Sequence, residues 1–242
     1  MPILKKIITV LLFGFYQLGF PQSTTEFFSK ADDFLSTHVK NGRVDYQSIK
    51  QNPTTLNGLI DMAKEVSVSM DDPKEYQAFW INAYNLLVIH EVVAHYPVSS
   101  PLDIKGIFDE KKHKVSGKNV TLNEIENDLL RRKFPEEARF HFVLVCAGLG
   151  CPPLIDEAYL PKKLEAQMQR QTIQALNNPE FIKIRGDKVL LSQIFEWYRE
   201  DFVQGGKTVI DFINRFRKEK IEVDKGVGHY SYDWRLNDLN KS

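Results

Sequence analysis

Apolar positions recur along this chain with several spacings, and each spacing predicts a different element. The first is a nearly unbroken run, Ile7-Ile8-Thr9-Val10-Leu11-Leu12-Phe13-Gly14-Phe15, preceded by Lys5 and Lys6. A basic start and a short apolar stretch are the marks of a secretory signal. Gly14, Gln17, Gly19 and Pro21 interrupt the run, so it falls short of the ~20 apolar residues that span a bilayer. Residues 1–22 are therefore predicted to be a signal peptide, and 23–242 a single globular domain exported to the periplasm or the medium. No cysteine follows the apolar stretch to take a lipid anchor.

Helical spacing governs most of the remainder. Phe27, Phe28, Ala31, Phe34, Leu35 and Val39 lie on one face of a first helix, which Asn41-Gly42 is expected to end in a left-handed turn. Asp72-Pro73-Lys74-Glu75 supplies a cap, a proline at the first helical position and an acid at the third, opening a long helix to about Tyr96. Thr121-Leu122-Asn123-Glu124 repeats the capping box, and its helix closes on Arg131-Arg132-Lys133. Pro161 opens another helix to about Leu176, and Ser192 and Thr208 cap two more. Phe140 to Val145 is β-branched and aromatic and reads as a buried strand. Ile182 to Leu191, with Arg185-Gly186-Asp187 at its middle, reads as a hairpin, and Tyr230 to Leu236 as a last short strand. The sum is an α+β fold, helix-rich around a small, mainly antiparallel sheet.

Composition narrows the function classes. Without the first 22 residues, 30 basic side chains face 32 acidic ones, a formal charge of −2, and no basic run longer than residues 131–133 is present to recruit nucleic acid. No membrane span is expected once the signal is cleaved. Sixteen Phe, nine Tyr and three Trp supply a sizeable core. Two cysteines, Cys146 and Cys151, stand five positions apart; in an oxidising compartment such a pair is first suspected of forming a disulfide.

Two constellations could carry chemistry. The helix from Tyr76 to His90 is apolar nearly all round, so Asn82 and Asn85, three positions apart on one face, are expected to be buried and hydrogen-bonded. They either tie down a loop or line the floor of a ligand pocket. The second constellation is the stretch from His141 through Cys146, Gly148, Gly150 and Cys151 to Pro153. A thiol at a strand end beside two glycines can place a nucleophile next to converging backbone N–H groups. Along a regular strand His141 and Cys146 would face opposite sides, leaving His90 or another distant histidine to serve as base. A structural disulfide, a reactive thiol and an inert pair all remain open. His90, Glu91 and His95 lack the spacing of a zinc helix, and no HExxH, GxSxG, P-loop or dinucleotide fingerprint is present; neither a metal nor a cofactor is expected. Glu126 by spacing alone is a solvated helix glutamate.

Several motifs in order resemble the domain of unknown function 547 family. They are Val44-Asp45-Tyr46, the stretch Phe79 to Asn85, Leu122-Asn123-Glu124-Ile125-Glu126, His141-Phe142 through Cys146 to Cys151-Pro152-Pro153-Leu154, Leu191 to Tyr198 with Asp201-Phe202, and Tyr232-Asp233-Trp234. The resemblance implies a recurrent polar set, Asn82, Asn85, Glu126, His141, Cys146 and Cys151, and so raises Glu126 and His141 above what spacing gives them. It implies no particular reaction. Exported bacterial relatives are common, and plant relatives joined to a glutaredoxin-like module point toward thiol chemistry. Position 150 is Gly here, where many relatives have Ser.

Three functions compete at this stage. One is a thiol-dependent hydrolase or transferase with Cys146 or Cys151 as nucleophile, His141 and Glu126 as polar partners, and Asn82 and Asn85 binding a small molecule or peptide. The second is a non-catalytic ligand-binding domain whose disulfide shapes a loop. The third is a redox protein that cycles the pair between thiol and disulfide.

Overall fold

A computed structural model of the chain describes residues 23–241; the predicted signal peptide lies outside them. Helix α1 (Thr24–His38) opens on Ser23, whose hydroxyl accepts the Thr25 N–H at 3.2 Å. It buries Phe27, Phe28, Ala31, Phe34 and Leu35, the face its spacing predicts. Asn41-Gly42 does not cap this helix. It turns the hairpin of β1 (Val39–Lys40) and β2 (Arg43–Val44), with φ of 53° and 80°. A tight two-residue hairpin turn of this kind needs φ above zero at both central residues, the same demand a helix end makes at one. Gly42 also lies against Pro153, where a Cβ would fall 2.5 Å from the Pro153 Cβ.

Helices α2 (Tyr46–Gln51) and α3 (Thr54–Glu65) lead to α4 (Pro73–His95). The last follows its sequence signals: the Asp72 carboxylate accepts the Glu75 N–H at 3.0 Å, and Pro73 occupies the first turn. Residues 78–89 are all buried, so α4 is the axle of the larger core, on which α1, α2 and α3 pack. A short hairpin, β3 (His113–Val115) with β4 (Lys118–Val120), covers α3.

Thr121 and Glu124 make the predicted capping box, but the helix they open stays α-helical only for α5 (Leu122–Glu124). From Ile125 to Arg131 it widens to a π-helix, with the Arg132 N–H reaching the Asn127 carbonyl at 2.9 Å. In such a helix residues five apart take the neighbouring places that residues four apart hold in an α-helix. Glu126 and Arg131 are thereby brought to one side.

The predicted strand over Phe140 to Val145 is a 3-10 turn (Ala138–Phe142) followed by irregular chain. All six residues are buried, as expected; the pairing partner is what differs. The Asn85 side chain donates to the Val143 carbonyl and accepts the Val145 N–H, both at 2.9 Å. One amide thus does for this segment what a neighbouring strand would have done.

A second, smaller core gathers α6 (Leu164–Leu176), the predicted hairpin β5 (Ile182–Arg185) and β6 (Lys188–Ser192), and the helices α7 (Ile194–Trp197), α8 (Arg199–Phe202) and α9 (Val209–Phe216). Strand β7 (Gly226–Tyr230) lies parallel to β6, so the sheet order is β5-β6-β7. It ends where the last strand was expected to begin; residues 233–237 run instead as a tail against the cysteine loop. The fold is α+β, helix-rich, with small and mainly antiparallel sheets. No helix of the described residues is long and apolar enough to cross a membrane.

Candidate functional site

The π-helix, the segment after the 3-10 turn, α7 and the C-terminal tail converge on a cavity of about 210 Å³. Its wall includes Glu126, His141, Cys146 and Cys151 together with Tyr84, Tyr198, Tyr232, Phe108, Trp197 and Trp234. The four residues expected to carry chemistry thus share one space. Asn82 and Asn85 do not line it. Asn82 accepts the Tyr159 N–H at 3.0 Å and donates to the Tyr159 and Ala78 carbonyls at 2.7 and 2.9 Å. Asn85 is committed to Val143 and Val145, which fixes the approach of the chain to Cys146. The amides tie down loops; the loops then shape the cavity.

Cys146 and Cys151 are joined by a disulfide, with Cα atoms 6.5 Å apart, inside the range a bridge can span. Both are half-buried and border the cavity. The Tyr232 hydroxyl donates to Cys151 Sγ at 2.9 Å and lies 3.1 Å from Cys146 Sγ. Cys151 Sγ also accepts the Cys146 backbone N–H at 3.0 Å. Burial, reinforced by neighbouring Tyr198, Tyr230 and Glu126, pushes the Tyr232 phenol well above its ordinary range. It therefore remains a proton-bearing donor to the sulfurs at any neutral pH.

Between the cysteines the chain turns through Ala147 at φ 63°. The loop N–H groups do not converge on an anion site, because the tail takes them. Leu149 donates to the Arg235 carbonyl and Gly150 to the Asp233 carbonyl, each at 2.8 Å, while Asn237 donates back to Ala147 at 2.8 Å. Gly150 has no room for a side chain: a Cβ would fall 2.9 Å from the Asp233 nitrogen and from the Tyr232 ring. The Tyr232 ring stands in that space.

His141 sits on the same cavity, buried, with its Nε2 bonded to Asp201 Oδ2 at 2.7 Å. The regular strand that would have turned it away from Cys146 does not form, so the argument against their sharing a site falls. Arg131 grips both Asp201 oxygens, Nε to Oδ2 at 2.7 Å and Nη2 to Oδ1 at 3.0 Å, and lies over the Tyr198 ring. Burial works against ionisation of Asp201, but the hydrogen bonds from His141 and Arg131 together outweigh it and hold the carboxyl well below the usual range. The Tyr198 ring stacks 4.1 Å from the His141 ring. Burial and the adjacent Glu126 charge raise the Tyr198 phenol far above its ordinary value, and burial does the same for Tyr84.

His90 belongs elsewhere, among Asp61, Lys64, Glu91, Lys111 and His113. Among the described residues no three of His, Cys, Asp and Glu are arranged to hold a metal ion. Sequence reasoning did not single out Arg131, Tyr198, Asp201 or Tyr232 as site residues. The last three stood inside motifs whose resemblance was noted, yet nothing in their spacing shows that the chain returns from residue 201 and residue 232 to meet residues 126–151.

No curated protein and no solved structure matches the chain. The model of a family described as "Protein of unknown function, DUF547" matches residues 68–174, a segment that holds Asn82, Asn85, Glu126, His141, Cys146 and Cys151. Over residues 68–174 the chain thus matches the same family that its sequence motifs resemble.

Proposed function

We propose that this is an exported thiol/disulfide redox protein, whose Cys146–Cys151 bridge exchanges with the thiols of a small substrate in the cavity. The observation that carries the reading is the placement of the bridge. Both sulfurs border the cavity, and both lie within reach of one permanently protonated phenol, Tyr232. A bridge that served only to staple the loop would need neither.

The step balances as ordinary exchange. A substrate thiolate attacks Cys146 Sγ, the S–S bond breaks, and its electron pair goes to Cys151 Sγ. The Cys151 thiolate leaves into two donors, the Tyr232 hydroxyl and the Cys146 N–H. A second substrate thiolate then attacks the mixed disulfide, releasing oxidised substrate and leaving Cys146 reduced; the protein gains the two electrons. Reoxidation returns them to whatever disulfide or oxidant the compartment offers. Export supplies such a compartment. It is supported by the Lys5-Lys6 and Ile7-to-Phe15 pattern.

A hydrogen bond to a charged sulfur is worth roughly 1.5–3 kcal/mol, so Tyr232→Phe should slow reduction of the bridge by a small thiol about tenfold or more. Equal rates in the two proteins would sink the proposal.

A second reading is favoured by the His141–Asp201 pair. In the reduced protein, Cys146 would act as nucleophile and His141, oriented by Asp201, as its base, which is the arrangement of a thiol hydrolase or transferase. It predicts a burst of acyl-enzyme from an activated ester after reduction, lost in Cys146→Ser.

A further inference from the structure

The cavity wall carries a carboxylate, Glu126, whose neighbouring partner is the uncharged Tyr198 phenol rather than a cation. Two other acids near it are already paired: Asp201 is held by Arg131 and His141 in a set closed on itself, and Asp233 is held by Arg235 at 2.6 Å. Glu126 is in no ion pair among the described residues. It is half-buried on the cavity wall, and its charge is felt by the phenols of Tyr84, Tyr198 and Tyr232. Arg131 is near enough to sense it, yet its guanidinium is already committed to Asp201.

Around this carboxylate the wall is aromatic. Tyr232 and Trp234 lie 4.7 Å apart, Trp197 lies 5.1 Å from Tyr232, and Phe108 lies 6.5 Å from Trp234. Trp197 is 47% exposed, and it is the one aromatic ring among the exposed large hydrophobic side chains of the described residues. Exposing an indole forgoes burial that a core would otherwise gain. Ring faces attract cations electrostatically, and most strongly where water is displaced. A volume of about 210 Å³ lies below the roughly 300–1,000 Å³ of pockets for drug-sized ligands, so a headgroup fits rather than an extended molecule.

We infer that the cavity binds a compact organic cation, an ammonium or quaternary ammonium group seated on Trp197 and Trp234 with Glu126 as counter-charge. The inference names the substrate class for the redox reading and rests on the same cavity: the thiol that meets Cys146 is delivered by a molecule bearing such a group.

Binding can be read without any redox step, on the oxidised full chain, by tryptophan fluorescence with choline as probe and 3,3-dimethylbutan-1-ol as its neutral isostere. Choline should bind at least tenfold more tightly than the alcohol. Glu126→Gln should remove that preference, and Trp197→Leu, a change at an exposed position, should weaken choline severalfold while leaving the thermal transition in place. Equal binding of the two probes, no binding of either, or an unchanged preference in Glu126→Gln would overturn the inference. None of those results touches the rate of bridge reduction, which tests the redox reading by itself.

Discussion

His141 Nε2 lies 2.7 Å from Asp201 Oδ2, the same oxygen that Arg131 Nε reaches at 2.7 Å. One carboxylate therefore joins the 3-10 turn, the π-helix and α8. Asp201→Asn should destabilise the fold by roughly 1–3 kcal/mol, since His141 and Arg131 both lose a charged partner. The folded-state carboxyl titrates well below its ordinary value. Its stabilisation is present above the ordinary carboxylate range and is lost as pH falls toward the folded value. Urea midpoints measured from pH 6 to pH 3 should drop less in Asp201→Asn than in the wild type. Parallel curves would show that the pair adds nothing to acid stability.

Asn85 deserves a separate test because its amide replaces a strand. In Asn85→Leu the Val143 carbonyl and the Val145 N–H lose their partners inside the core, which should cost roughly 1–3 kcal/mol. Asn82→Leu should cost a similar amount through Tyr159. Denaturant melts of the two variants decide this; melting unchanged from wild type would mean the loops find other partners.

At residue 150 the absent side chain makes room for Tyr232. A serine at this position, Gly150→Ser, puts a Cβ 2.9 Å from the Asp233 nitrogen and the Tyr232 ring. The tail must shift, at a cost of roughly 1–3 kcal/mol, and the hydroxyl of Tyr232 leaves the sulfurs. The variant should melt earlier and should be reduced by small thiols as slowly as Tyr232→Phe. A wild-type rate would show that the Tyr232 contact is dispensable.

Away from the cavity, His90 Nδ1 and His113 Nε2 are buried without hydrogen-bond partners. Burial lowers the pKa of both rings, with Glu91 opposing and Lys111 assisting; Lys64 adds to the lowering at His90, where Asp61 opposes it. The unfolded chain binds their protons first, so stability should be flat above about pH 6.5 and fall as pH drops below it. Replacing His113 with Gln should flatten the fall between pH 6.5 and 5. A fall of undiminished slope would assign it to other groups.

Much of the scaffold was legible because its signals are local. Caps at Asp72, Thr121 and Thr208 act within one turn, and the apolar circumference of α4 fixes its burial without reference to anything distant. What failed is instructive in the same terms. Asn41-Gly42 satisfies both a helix end and a hairpin, and only the pairing of residues 39–40 with 43–44 selects one. Phe140 to Val145 has strand composition, but its partner is a side chain on α4, which no periodicity announces. The site divides likewise. Cys146, Cys151, His141 and Glu126 stood out by residue type or resemblance. Tyr232 and Asp201 reach them only through long returns of the chain, and the widening of the helix at Ile125–Arg131, which turns Glu126 inward, has no sequence mark we can name.

The central claim is that the bridge is an exchanging one. It is tested most directly by counting thiols in the folded protein equilibrated across a series of glutathione redox buffers. We predict no free thiol in the isolated protein and two at the reducing end. The interconversion should be reversible, and the fold should be retained throughout by circular dichroism. A bridge that no glutathione buffer opens while the protein stays folded, or one whose reduction unfolds the domain, would contradict the account and leave Cys146–Cys151 as a staple of the loop.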